Sequence, residues 1–304
     1  MGHDHAHGAG ATHRGRLALV LVLSVGVMLV EAVVAWLTGS LALLADAGHM
    51  LGDSFGIVMA LAAITVAQRG GGPGSRRTFG YSRTEVLAAG VNGLVLLGLA
   101  GWVAVSAIRR FGDSPELEGG LILVAGAIGL VVNLLGLLLL RGGAQESINV
   151  RGAYLEVLGD ALGSVAVLVS AGVILLTDWY PADAIASLVI AAMIVPRAIS
   201  LLREVAEVLL ESTPRGVDLV ELREHILAMD GVEDVHDLHV WTITSGMPIM
   251  SAHVVVEDSV TGMDEAHSVL DRLRGCLADH FDVEHSTFQI EPAGHLDSES
   301  HVHH

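Results

Sequence analysis

The 304-residue chain contains no lysine; all sixteen of its basic residues are arginine. It has one cysteine, Cys276, and only 4% aromatic residues. Charge is scarce too: 16% of residues are charged, where soluble domains carry roughly 25%. Each scarcity excludes something. A single cysteine excludes an intramolecular disulfide and a cysteine-rich zinc module, and it leaves Cys276 to pack inside the C-terminal part. Scattered arginines, with no basic patch interleaved with aromatics, exclude nucleic acid as a partner. No His-Glu-x-x-His run or nucleophile elbow occurs, so an intramembrane hydrolase is disfavoured and the chain is read as no enzyme.

What the chain has is apolar sequence. It is 52% hydrophobic, with mean hydropathy +0.60. The formal charge of −18 is unevenly placed, because much of the acid lies after residue 210, where the apolar runs stop. This predicts an apolar block in the lipid bilayer followed by an acidic, water-soluble block. A helix needs about 20 apolar residues to cross the hydrocarbon core. Windows of that kind lie at 17–37, 41–67, 84–108, 119–140, 153–176 and 183–202, the last interrupted near its end by Pro196 and Arg197. The first run is too long for a signal peptide and no small-residue cleavage site follows it.

Arginine placement predicts orientation. Arg14 and Arg16 precede span one. Arg69, Arg76, Arg77 and Arg83 follow span two, Arg141 and Arg151 follow span four, and Arg197 and Arg203 lie at the exit of span six. The opposite side has only Arg109 and Arg110, beside Asp113, Glu116, Asp178 and Asp183. Both termini are therefore expected in the cytoplasm of a bacterial-type inner or plasma membrane.

The expected domains are a flexible His-bearing tail at 1–16, a six-helix transmembrane domain at 17–210, a cytoplasmic domain at 211–292 and a second His-bearing tail at 293–304. His3, His5, His7 and His13 in the first tail would collect metal loosely, and His301, His303 and His304 end the second. Within 211–292 the patterns read helix 217–229, strand 232–244, strand 248–258, helix 263–281 and strand 283–292, with the first two strands paired as a hairpin around Ser245-Gly246. The order αββαβ predicts an α+β sandwich with its helices on one face of the sheet.

The chemistry sits in two stretches of the apolar block. "ADAGHMLGDSFG" (45–56) holds His49 and Asp53 four residues apart, and "YLEVLGDALGS" (154–164) holds Glu156 and Asp160 at the same spacing. That spacing stacks each pair on one helix face. Two such helices face to face would offer four ligands to one cation, and imidazole nitrogen with carboxylate oxygen suits zinc. Isolated amides such as Asn92 and Asn133 are ordinary interhelical glue. Ionisable groups in lipid are costly and mark an ion path. Glu31 and Asp46 are accessory candidates that either line such a path or only hydrogen-bond within the bundle.

Four segments, "SLALLADAGHMLGDSFG", "RRTFGYSRTEVLAA", "NVRGAYLEVLGDALGSV" and "VHDLHVWTITSG", taken in order over nearly the whole chain, resemble the cation diffusion facilitator family of divalent metal–proton antiporters. The resemblance implies six transmembrane helices, a metallochaperone-like, ferredoxin-like cytoplasmic domain, a homodimer, and a transport site of His49, Asp53, Glu156 and Asp160. It also implies Zn2+ as substrate and as a regulatory ligand, with no organic cofactor. Zinc-transporting members usually carry His where this chain has Glu156. The fully ionised set would then be one charge too negative for a divalent ion, so the empty site is expected to share an extra proton among Asp53, Glu156 and Asp160 and to lose it on metal binding. More oxygen also shifts preference toward Cd2+, Co2+, Mn2+ or Fe2+. A non-transporting membrane metal sensor is the alternative of another class.

In the C-terminal domain the hairpin would bring His236 to His253, with His285 or Glu291 supplied by the third strand. His236, His253 and His285 match family zinc positions. His239 and His267 are left open, and His225 and His280 are read as ordinary polar residues. In the 69–82 loop some relatives carry an extra metal site; Arg77 and Tyr81 stand at the equivalent positions here, so none is expected, and Arg83 and Glu85 are expected to form ion pairs.

Overall fold

The structure is a computed structural model that describes residues 7–67, 76–112, 114–143, 148–281 and 285–295. Six long helices come first: α1 (His7–Thr38), α2 (Leu41–Ala67), α3 (Thr84–Arg110), α4 (Gly119–Leu140), α5 (Ile148–Thr177) and α6 (Pro181–Leu209). Then follow α7 (Leu219–Leu227), β1 (Val232–Thr242), β2 (Pro248–Val256), α8 (Met263–Phe281) and β3 (His285–Pro292). Among the described residues, α1, α3, α4, α5 and α6 contain stretches long and apolar enough to cross a membrane. The αββαβ order of the C-terminal part is as the sequence pattern predicts.

Two boundaries differ from expectation. Helix α1 begins at His7, so residues 7–16 are helical rather than an irregular tail; Ala9 and Ala11 carry no helix penalty. Helix α6 continues through Pro196 to Leu209. A proline removes one amide donor, but a helix packed in a bundle tolerates that loss. Residues 1–6 and 296–304 of the two expected tails, His3, His5, His301, His303 and His304 among them, lie outside the described residues. So do the side chains of His7, His13, His280 and Cys276.

The chain forms two compact units, Met1–Leu61 with Ala88–Leu202, and Ala62–Leu87 with Arg203–His304. In the first, the core is built from small and branched residues of six helices: Ala35 of α1, Ala42 and Leu43 of α2, Leu96 and Val103 of α3, Ile122 of α4, Val167 and Ile174 of α5, and Ile190 and Ile194 of α6. Large apolar side chains such as Val22, Trp36, Leu94, Val169 and Leu176 point outward, as a lipid-facing belt requires. Small residues let the backbones close. A Cβ on Gly163 of α5 would stand 2.5 Å from Asp46 Oδ1, so glycine there makes room for an acidic side chain from α2. The start of α2 is capped from α6: the Asp183 carboxylate accepts from Leu41 N at 2.7 Å and from the Ser40 hydroxyl, and is itself buried. Asn133 of α4 donates to Ser164 of α5 at 3.3 Å, the interhelical role expected of an amide.

In the second unit, β2 lies between β1 and β3, antiparallel to the first and parallel to the second. Leu222 and Ile226 of α7, and Val269, Leu273 and Leu277 of α8, pack with Val235, Met250, Ala252 and Val254 of the sheet. Asp218 caps α7, accepting from Val220 N and Glu221 N. Glu265 accepts the amides of Thr261 and Gly262 at the start of α8. These donors favour its ionised form, and its pKa lies below the usual carboxylate range.

Candidate metal centres

In the helical unit the two i, i+4 pairs face each other. His49 Nε2 lies 3.6 Å from Asp53 Oδ2 within α2 and 3.8 Å from Asp160 Oδ1 across on α5. One ligand atom from each of the three falls within 4.8 Å of the others. Tetrahedral zinc, with bonds of about 2.0–2.1 Å, separates its ligand atoms by roughly 3.3 Å, so this trio needs only slight contraction to close on an ion. His49 and Asp160 are buried, and Asp53 is nearly so. Two cavities flank the cluster. One, of about 260 Å³, lies among α1, α2 and α5 and is lined by Met50, Asp53, Glu156 and Asp160. The other, of about 140 Å³, lies among α2, α5 and α6 and is lined by Asp46, His49, Gly159 and Arg197.

Glu156 stands differently. Its Oε1 is bound by Nη2 of Arg197 from α6. The other terminal nitrogen of Arg197 donates to Asp53 Oδ2 at 3.2 Å and lies 3.5 Å from His49 Nε2. A guanidinium thus sits among the carboxylates, a group that the sequence pattern did not place there, alongside the proton that Asp53, Glu156 and Asp160 are expected to share. Arg197, expected at the exit of span six, lies within α6. Its position directly after a proline inside an apolar run was the available signal. Asp46 and Glu31 are fully buried alongside this site. The Asp46 carboxylate lies against Gly163 and that of Glu31 against Gly129, a position that Ser164 and Val27 also approach.

The second cluster is in the sheet. His236 of β1 is directly opposite His253 of β2, their ring centroids 4.9 Å apart. Glu291 of β3 pairs with Val255, two residues along from His253 and hence on the same face. Its Oε2 meets His236 Nε2 at 3.1 Å and its Oε1 meets His253 Nδ1 at 2.8 Å. His236 and Glu291 are buried. A bulge follows His236, with Asp237 at φ 48° and the register shifted before His239; bulges commonly re-aim side chains beside sites. Gln289, not singled out from sequence, donates to Glu291 Oε1 at 2.8 Å.

His285 is the correction here. It pairs with Ile249, whereas Gln289 stands opposite His253. At about 3.3 Å per residue, those four steps along β3 put it roughly 13 Å from the cluster within one chain. His239 and His267 are exposed, His267 beside Asp271. His225 makes an edge contact with Phe281. In the segment after α2, Arg77 stacks on Tyr81, its guanidinium 4.7 Å from the ring centroid. Arg83 pairs with Glu211 at 2.8 Å, while Glu85 accepts a hydrogen bond from Thr244 instead of an ion pair.

Both parts of the chain are similar to known proteins. A family model described as the cation efflux transmembrane domain matches residues 17–210, and one described as the cation efflux protein cytoplasmic domain matches 214–293. The metal cation efflux system protein CzcD of Cupriavidus metallidurans is 40% identical over 303 residues, 99% of this chain and 93% of that one. A cadmium, cobalt and zinc/H(+)-K(+) antiporter of Bacillus velezensis is 38% identical over 297 residues, 97% and 93% of the two chains. The zinc transporter ZitB of Escherichia coli is 37% identical over 320 residues, the whole of both. A solved metal-bound C-terminal domain of the CzcD transporter from C. metallidurans covers 25% of this chain and 99% of that one, at 44% identity and TM-score 0.23.

Proposed function

This chain belongs to the cation efflux, or cation diffusion facilitator, family, and we propose on that premise that it exports zinc from the cytoplasm in exchange for protons. It is a membrane transporter of divalent metal cations and not an enzyme, and its C-terminal α/β domain is the cytoplasmic domain of the family. Our reading adds detail. The bundle at 17–210 spans the membrane six times with α2 as the sixth crossing, both termini are cytoplasmic, and the domain at 211–292, ferredoxin-like in its arrangement, joins two copies as a homodimer. The flanking stretches 1–16 and 293–304 serve as His-bearing tails.

The observation that carries this reading is the convergence of His49, Asp53 and Asp160, from two long helices, within coordination distance in a buried position. A soluble or anchoring bundle has no use for three such groups, because ionisable side chains in lipid cost several kcal/mol. Glu156 completes the set. Neutral imidazole and ionised carboxylate are the binding forms, so ligands that have taken up protons must release them when the ion enters; protons and metal thereby compete for one site, which is the requirement for exchange. Asp46 is an accessory group on this route. The flanking cavities support access to the site from either side, with the helices rocking between the two. Zinc is the first choice of substrate; cadmium and cobalt, named for the Bacillus relative, are the alternatives.

His236, His253 and Glu291 form a regulatory zinc site in this reading. Metal there biases the cycle by binding one conformation more tightly than another. The test is reconstitution into liposomes with a zinc dye inside and a pH dye as second reporter. Zinc influx opposed by proton flux, lost in Asp53→Ala and in Asp160→Ala, is the expected result. Zinc binding without any flux would favour the membrane sensor instead, and flux untouched by both substitutions would remove His49, Asp53, Glu156 and Asp160 as the transport site.

A further inference from the structure

An arginine inside an apolar helix requires a reason, because its charge does not leave with changing pH. The partners of Arg197 supply one. One terminal nitrogen holds Glu156, and the other touches Asp53 Oδ2 and stands near His49 Nε2. An arginine serving only to pair Glu156 would leave the remaining ligands alone. Here the guanidinium contacts the same two atoms of α2 that a metal ion between His49, Asp53 and Asp160 would contact. Both cations cannot hold those atoms together.

We infer that Arg197 is a tethered cation that holds the metal position when no ion is bound, with Glu156 as its anchor, and that metal binding requires its withdrawal; the inference rests on the transport-site reading above. Charge supports it. Asp53, Glu156 and Asp160 are three carboxylates around one position, and the guanidinium offsets their negative charge while no ion is bound, as the metal does once Arg197 has withdrawn. Space supports it as well. The cavity of about 140 Å³ at α5 and α6 is lined by Arg197 itself with Leu155, Gly159, Ile190 and Met193, and nothing lies within 4 Å of where a Gly159 Cβ would be. The Arg197 side chain is 44% exposed, so retreat into that cavity needs no repacking of the core. Glu156 takes one end of the guanidinium and so shares its charge with Asp53, which explains why it stands apart from the three clustered ligands; without Glu156 the whole of that charge falls on Asp53 and His49. A resident cation also lowers the affinity for metal, which favours release of the ion at the end of each transport step.

The test is zinc affinity of the full-length protein in detergent, measured by competition with a fluorescent zinc indicator at fixed pH. The transport-site component is the one abolished by Asp160→Ala. Close charge pairs carry enough coupling energy that Arg197→Met should tighten this component about tenfold or more, and Glu156→Gln should weaken it by a similar factor. The double variant Glu156→Gln/Arg197→Met, which removes one charge of each sign, should return to within about threefold of the parent on the same scale. Arg197→Lys should stay near the parent. Tightening in one single variant and weakening in the other, with mutual rescue, is not what loss of a structural ion pair produces, since that would weaken both. Equal or weaker binding in Arg197→Met overturns the inference, as does a double variant no better than Glu156→Gln. If Arg197→Met does not fold, the comparison of Glu156→Gln with the isosteric double variant still decides. A parent protein whose binding has no component sensitive to Asp160→Ala would instead sink the transport-site reading, and this inference with it.

Discussion

Glu291→Gln isolates what the cytoplasmic cluster contributes, because it removes a charge without changing size. Glu291 is buried and reaches both His236 and His253, at 3.1 and 2.8 Å. In the parent, zinc at a hundred times its dissociation constant stabilises the folded domain by about 2.7 kcal/mol. Amides in β1 and β2 that exchange only through unfolding of the domain should therefore exchange roughly a hundredfold more slowly with zinc than without. Losing a carboxylate from such a site costs at least as much as losing an outer partner, about 10–100-fold in affinity. At the same zinc concentration the variant then gains only about 0.4–1.4 kcal/mol, a slowing of roughly 2–11-fold. The assay is hydrogen exchange with mass spectrometry on the full-length protein, read on peptides covering 232–256. A variant that keeps the hundredfold protection would show that Glu291 holds no metal. A parent that does not respond to zinc would remove the site altogether.

Asp183→Ala removes the cap of α2 supplied by the buried carboxylate; it should cost about 1–2 kcal/mol and lower the melting temperature of the purified protein. Gly163→Ala drives a methyl group to within 2.5 Å of Asp46 Oδ1; overpacking of this kind costs about 1–3 kcal/mol, readable as earlier thermal unfolding followed by size exclusion, and an unchanged melting curve would show that α2 and α5 are looser than described. Asp218→Ala should cost about 1 kcal/mol and speed hydrogen exchange selectively in α7. Arg83→Ala breaks a half-exposed ion pair and should change stability by less than about 1 kcal/mol.

The helices and their order were legible from apolar run length, and α8 from its apolar spacing, down to its bounds at 263 and 281. The hairpin was legible too, since alternating residues on both sides of Ser245-Gly246 leave few other pairings. The ends of α1 and α6 were not. Apolar content marks where lipid begins, whereas a helix continues as long as its backbone hydrogen bonds do, through polar residues 7–16 and through Pro196. His49 could be grouped with Asp53, and Glu156 with Asp160, because i, i+4 spacing is a local property of one helix; that the two pairs serve one site came from the resemblance to the family. Arg197 could not be joined to them, since the contact to Asp53 spans 144 residues and depends on how α6 is rotated about its axis.

Local periodicity in the sequence thus determined which segments are helices and strands, and which polar side chains share a face. Only the tertiary structure decided which faces meet. It placed a guanidinium beside Glu156, sent Asp183 to the start of α2, and chose Glu291 over His285. The reason is geometric: strand register and helix rotation are set by packing between segments far apart in the chain, and a slide of four residues along β3 changes no local pattern yet moves a side chain by about 13 Å.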